Sequence, residues 1–397
     1  MINTTETTMG ANPKLEDLQN FLNENFDFRY NVLTDMPECK PKNTTTYRMI
    51  DKRMMNTLCM EAMMNGVDCK DADVKRFLFS ERIPTHHPFK DYLSDLPEWD
   101  GTDRVTMLAA RVSGNSMWIN GFHRWMLGMV AQWMGLPSRC ANAVAPILVS
   151  KKQGMCKSTF CSMLLPEELR AYYTDKFTIN ATSGCEQKLS TFGLINMDEF
   201  NMYTERMMTI LKNLMQMKKV NYRKCFKAYY SDLPRIASFI GTSNEKSLLT
   251  DETGSRRFLC MEVEKPIDCS PIDYPQLYAQ LKWELEAGKR YWLSKEEEME
   301  IQEHNQDFYK QSTEEEVFFK VFRLPKEGEP FVKMTASSIF NLLQKRYPAL
   351  MRGANVRQFG KVLCHIGAKK SRSNMGSMYE VVHVSRMSAS SCSSDAA

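Results

Sequence analysis

The sequence predicts an α/β protein: a mostly parallel sheet covered on both faces and built around a phosphate-binding loop, with helical regions before it and a basic unit after it. Three observations predict this. Short apolar runs suited to buried strands, AVAPILV (143–149), FGLINM (192–197) and RIASFIG (235–241), alternate with stretches of helical spacing. The first run leads directly into SKKQGMCKSTF (150–160), giving the order strand, loop, helix that a phosphate loop requires. The chain has 397 residues, 43% hydrophobic and 25% charged, which is enough for a large core in two or three domains.

Taken in order, residues 1–85 look helical and carry no chemical motif. Residues 86–140 hold tryptophan-rich segments such as MWINGFHRWMLGMVAQWMG, expected as buried helices that precede the core. Residues 141–310 are the expected core with a helical extension. Within it, Met208, Leu211 and Met215 share one helical face, and Ser294 followed by Glu297 is a capping signature. Residues 311–384 read as a helix, a basic helix and a Gly turn between short strands. The small polar tail, 385–397, is expected to be disordered.

MINTTETTMGANPK has no apolar run, and nothing approaches 18 consecutive apolar residues, so neither a secretory signal nor a membrane span is expected and the cytoplasm is the expected compartment. The 12 cysteines are scattered without a C-x-x-C pair, which reads as reduced, buried thiols rather than a zinc site. The 29 methionines read as core filler. Net charge is only +4, but its distribution is uneven. Lys345 to Arg372 holds eight basic residues and no acid, and Lys218 to Arg235 holds six against Asp232 alone. Such patches in a nearly neutral chain point to a polyanion, with a plain solvated face as the alternative.

The phosphate-loop pattern is G-x-x-x-x-G-K-[ST], in which backbone N–H groups and a helix N-terminus converge on phosphate. Here Lys151 and Cys156 stand in the two glycine slots. Gly154 remains inside the loop, followed by Lys157, Ser158 and Thr159. Lys157 suits the β/γ-phosphate charge and Ser158 a Mg²⁺ ion, while Cys156 requires the backbone to tolerate a Cβ. The second apolar run ends in Asp198-Glu199, a pair that suits a metal-holding carboxylate and a water-activating one. Asn244, after the third run, suits the positioning of that water or the sensing of the γ-phosphate. Arg256 and Arg257 suit an arginine finger that reaches a neighbouring subunit's nucleotide. Each has a plain alternative: strand-end acids, a turn residue, a surface ion pair. Their order along the chain, each of the first three after a strand, favours one site.

The runs HPFKDYLSDLPEWDGTDRV, KKQGMCKSTF, LINMDEF and FIGTSNEKSLLTDETGSRRFLCMEV resemble the virulence-associated protein E family over roughly residues 85–310. That family looks like superfamily 3 helicases of the AAA+ type, carried on phages and mobile elements. The resemblance implies a phosphate-loop NTPase that binds ATP and Mg²⁺, assembles as a homo-oligomeric ring and moves on single-stranded or forked DNA. It implies that a hairpin ahead of the sensor strand grips DNA. The matching segment, KKVNYRKCFKAYYSDLPR, carries Lys219, Arg223, Lys224 and Lys227, and its basic and aromatic residues suit phosphate contact and stacking. The C-terminal basic unit resembles a winged helix, with Arg357, Lys361, Lys369 and Lys370 as DNA contacts. The family's loop has glycines where Lys151 and Cys156 stand. No primase motif is found, so any priming is expected from a separate chain.

The expected function is a DNA-dependent ATPase, a replicative helicase of a mobile element or phage. Two rivals remain: a DNA initiator or scaffold that binds nucleotide without turnover, and a nucleotide-gated regulatory or defence ATPase.

Overall fold

The computed structural model describes residues 13–136, 140–179, 184–222, 230–249, 255–373 and 376–384. It begins with α1 (Pro13–Asn25), β1 (Phe26–Asn31), β2 (Met36–Pro41), β3 (Arg48–Met49), α2 (Lys52–Met64), α3 (Asp71–Leu78) and β4 (Thr85–His86). This corrects the helical reading of residues 1–85. The strands form a sheet of order β3-β2-β1-β4. The physical reason lies in the alternation FDFRYN: Phe26 and Phe28 are buried while Asp27 and Arg29 face outward, a period of two that belongs to a strand. Phe26 and Phe28 pack with Leu18, Leu22, Leu58, Val74 and Phe77 into a local core.

Three helices follow: α4 (Pro88–Ser94), α5 (Arg104–Ala110) and α6 (Ser116–Met134). Asn115 caps α6 by accepting from Trp118 N–H at 3.2 Å, and Gly135 ends it at φ 68°. Trp118, Phe122, Trp125 and Trp133 of α6 are fully buried. They form the centre of the main core with the strands they cover.

The core proper runs β5 (Ala145–Val149), α7 (Lys157–Met163), β6 (Tyr173–Thr174), α8 (Cys185–Thr191), β7 (Leu194–Met197), α9 (Glu205–Gln216), β8 (Lys219–Tyr222), β9 (Ser231–Pro234), β10 (Ser238–Ser243), β11 (Phe258–Glu262), α10 (Tyr274–Glu286) and α11 (Lys295–His304). Five strands pair in parallel in the order β11-β5-β10-β7-β6. Every residue of β5, β7 and β10 is buried, as strands covered on both faces require. On α9, Met208, Leu211 and Met215 are buried together with Leu214. The capping box of α11 is present, with Glu297 N–H to Ser294 Oγ at 3.2 Å and Ser294 N–H to Glu297 Oε2 at 2.6 Å. β8 and β9 form a separate antiparallel hairpin.

A second compact unit takes the residues from 307 onward. It draws in residues 247–249 as well, where Leu248 and Leu249 both donate to Phe308 C=O, at 2.9 and 3.0 Å. Its elements are α12 (Thr313–Val321), β12 (Phe322–Arg323), β13 (Val332–Thr335), α13 (Ala336–Arg346), α14 (Val356–His365), β14 (Lys370–Ser373) and β15 (Gly376–His383). β15 pairs antiparallel with β12, β13 and β14. Phe318, Phe340, Phe359, Leu363 and Tyr379 lie in its core. β12 and β13 were not anticipated. KMT is too short and too polar to announce a strand, and its pairing partner stands more than forty residues later.

Candidate nucleotide site

The parallel register brings the chemistry to one edge of the sheet. Val149 lies beside Ser243, and Met197 beside Gly241. Ser150, Asp198 and Asn244 therefore leave the sheet side by side at the carboxyl ends of three adjacent strands. β5 and β10 are neighbours, yet the chain leaves β5 for strands on one side and leaves β10 for β11 on the other. That is a switch point, where open α/β sheets leave a crevice for a ligand.

Gly154 takes φ 74° and Cys156 takes φ 59°. Cys156 thus adopts the left-handed conformation that glycine holds at no cost, at a strain of about 1–2 kcal/mol. It ends the loop as the N-cap of α7, and its C=O accepts from Phe160 N–H at 2.9 Å. Lys157, the first residue of α7, is 9% exposed. Its ammonium donates to Ser150 C=O at 2.9 Å and to Asn244 Oδ1 at 3.0 Å. Both acceptors are neutral, and no carboxylate among the described residues lies within ion-pair distance. Burial lowers the Lys157 pKa, and the charge of Asp198 works against that lowering. A lysine ammonium has three donors, so one is left over.

Asp198 stands one residue past β7. Its Oδ1 accepts from Ser158 Oγ at 3.3 Å and from Thr242 Oγ. Among the described residues its second oxygen has no hydrogen-bond partner. Burial, and then the nearby Asp198, push the Tyr203 phenol up to about 12. Glu199 is exposed and also left-handed, at φ 51°. Thr159 is exposed on the first turn of α7. Arg256 pairs with Glu298 of α11 at 3.4 Å, and Arg257, half-buried, ends the same short turn before β11.

Lys157 with Asn244, and Ser158 with Asp198, thus form two hydrogen-bonded pairs at the carboxyl ends of neighbouring strands, with Gly154 and Cys156 in the loop before α7. The sequence reading missed Thr242, which holds the Asp198 carboxylate, and Ser243, whose Oγ donates to Glu245 C=O at 2.7 Å and lies 3.3 Å from Asn201 Oδ1. Hydroxyls closing an otherwise apolar strand were the available signal. The residues present fit a nucleotide with Mg²⁺: a spare ammonium donor, a free carboxylate oxygen and a hydroxyl beside it. A single carboxylate is in keeping with a metal that keeps its waters and takes phosphate oxygens.

The basic segments fare unequally. Lys219 is exposed on β8, opposite Pro234. Arg223, Lys224 and Lys227 lie outside the described residues. Asp232, the one acid there, accepts from Asn221 at 2.6 Å. Arg235 does not belong to the surface patch, because it is 2% exposed. Its guanidinium donates to Leu214 C=O at 2.9 Å, Gln132 Oε1 at 2.9 Å and Asn142 C=O at 2.7 Å, and burial pushes its pKa down to about 9. In the C-terminal unit Arg357 and Lys361 sit one turn apart on the exposed face of α14. With Lys370 and Tyr379 they line an open hollow of about 500 Å³ that has no acid among the described residues of its wall. Lys369 is exposed just before β14.

The profile of the virulence-associated protein E-like domain matches residues 93–310, and that of a domain of unknown function from B. Theta (DUF3874) matches residues 311–381. Among solved structures, the apo C-terminal region (305–718) of NrS-1 is similar at a TM-score of 0.47 and 13% identity, covering 94% of this chain and 100% of that one. Its A form is similar at 0.44 and 12%, covering 94% and 99%. No curated protein matches the sequence. No helix among the described residues is long and apolar enough to cross a membrane.

Proposed function

The chain belongs to the virulence-associated protein E-like family, and on that premise we propose that it is a DNA-dependent ATPase, a replicative helicase of a phage or mobile element. The observation that carries this reading is Lys157. It is a buried ammonium held by two neutral oxygens, with a donor to spare, at the head of a helix and beside Asp198. A buried charge held only by neutral oxygens is costly, and an anionic ligand offsets that cost. A triphosphate satisfies Lys157, with Gly154 and Cys156 turning the loop around it.

Lys157 neutralises phosphate charge, and Ser158 and Asp198 would hold Mg²⁺, which supplies electrostatic stabilisation of the transferring phosphoryl group. Thr242 fixes the rotamer of Asp198. Glu199 orients and deprotonates the attacking water, and Asn244, hydrogen-bonded to Lys157, positions it. Arg256 or Arg257 acts across a boundary in a homo-oligomeric ring, which for Arg256 requires release from Glu298. In the C-terminal unit the order helix, two strands, two helices, two strands, with β15 between β13 and β14, supports the winged-helix reading. Arg357, Lys361, Lys369 and Lys370 there, and Lys219 on the hairpin, bind single-stranded or forked DNA through phosphate.

The test is ATP hydrolysis by the whole chain with and without single-stranded DNA, beside Lys157→Ala and Glu199→Gln. Hydrolysis stimulated by DNA and lost in both variants is expected. A second reading, nucleotide binding without turnover by an initiator or scaffold, is favoured by the strained Cys156 in the loop. Binding of ATP with no turnover, unchanged in Glu199→Gln, would select it.

A further inference from the structure

A second thiol stands beside the loop. The chain leaving β11 follows the chain leaving β5 and is pinned to it twice. Val263 N–H donates to Val149 C=O at 2.7 Å, and Ile267 N–H donates to Met155 C=O at 3.2 Å. Cys269 comes two residues after the second donor, and Cys156 one residue after its acceptor. Both cysteines are half-buried against the same core. Burial, and then the neighbouring Cys156 thiol, push the Cys269 thiol up. Cys161 and Cys260, by contrast, are fully buried, and burial pushes both thiols far up.

We propose that Cys156 and Cys269 are an oxidation site: a peroxide joins them in a disulfide that closes the phosphate loop to nucleotide. The pair of thiols stands on its own geometry, whereas the effect on nucleotide rests on the function proposed above. The first oxidation is at Cys156, in the loop. Its thiolate sulfur attacks one peroxide oxygen, an S–O bond forms, the O–O bond breaks and the leaving hydroxide takes a proton to become water. The Cys269 sulfur then attacks the sulfenic sulfur. The S–S bond forms, the S–O bond breaks, and the Cys269 proton leaves with that oxygen as a second water. Two thiols are oxidised and one peroxide is reduced.

The consequence is mechanical. Cys156 is the residue that turns the backbone into α7 and precedes Lys157. Tying its sulfur to the segment after β11 fixes the one turn that must fit around phosphate. A glycine in that slot has no such handle, so the substitution that departs from the loop pattern is the one that makes the pair.

The whole chain is treated with hydrogen peroxide, digested without reductant and mapped by mass spectrometry, and its affinity for ATP with Mg²⁺ is measured by calorimetry before treatment, after it and after dithiothreitol. The expected result is a Cys156–Cys269 linked peptide, an ATP affinity about tenfold weaker, and recovery on reduction. Cys269→Ser should bind ATP as the unmodified protein does and yield no linked peptide. Oxidation of Cys156 without the link, or a link that leaves ATP affinity unchanged, overturns the proposal. If the reduced protein binds no ATP, the proposed function fails instead, and the linked-peptide map still decides whether the pair is an oxidation site.

Discussion

The loop head of the core and the basic face of the C-terminal unit handle positive charge in opposite ways. Lys157 is buried, its geometry set by Ser150 and Asn244, and its pKa is lowered for want of water. Arg357 and Lys361 are exposed on one helix face. A buried cation is costly until one specific anion arrives, so it selects. Exposed cations keep their water and their counterions, so they attract any polyanion and are screened by salt. On the proposed function, the difference separates a site that recognises from a surface that holds.

The sharpest break of that comparison is Lys157→Ala. Removing the buried ammonium should weaken ATP binding by about a hundredfold, since a charge-assisted contact in a desolvated site contributes roughly 2–3 kcal/mol. A loss below about threefold would mean that Lys157 is a structural lysine, no different in kind from the surface ones. Glu199→Gln comes next and separates recognition from chemistry. Turnover should fall by about 10²–10³, with ATP affinity kept within about threefold. If affinity falls with turnover, Glu199 shapes the loop rather than the reaction. On the other side, the double variant Arg357→Ala with Lys361→Ala should weaken binding to a DNA oligonucleotide several-fold and leave ATP affinity untouched. It should lower the slope of log affinity against log salt by about 1.4–1.8, the value for two phosphate contacts. An unchanged slope would remove that face from the DNA path.

The same contrast governs how much of the molecule was legible in the sequence. The core was legible because its strands are buried on both faces and read as short, mostly apolar runs, and because each run leads into polar residues that the sheet sets side by side. The N-terminal sheet was not. Its strands are half-buried and short, and Phe26 and Phe28 signal two periods at once when set beside the helical spacing of Leu18 and Leu22. Within the site, the residues inside a motif or directly after a strand announced themselves, and those that support them did not. Thr242 holds Asp198, and the Ser150 carbonyl holds Lys157, yet a hydroxyl or a backbone oxygen at a strand end carries no distinctive pattern. Arg235 was misplaced for the converse reason. It stands in a basic run but turns inward, and only the carbonyls of Leu214 and Asn142 reveal why.

The smallest expected effect concerns a sign rather than a size. At an ordinary position, replacing alanine with glycine lowers stability by about 0.4–1 kcal/mol through the freedom of the unfolded chain. At Cys156 the backbone is left-handed, at φ 59°. There a Cβ costs about 1–2 kcal/mol, which exceeds the entropy that glycine loses. Cys156→Gly should therefore be more stable than Cys156→Ala by about half to one kcal/mol in urea unfolding. The two variants lack the same sulfur and so differ only in the backbone term. If alanine proves the more stable, the loop backbone is not left-handed at this position in solution, and the strain that favours binding without turnover disappears with it.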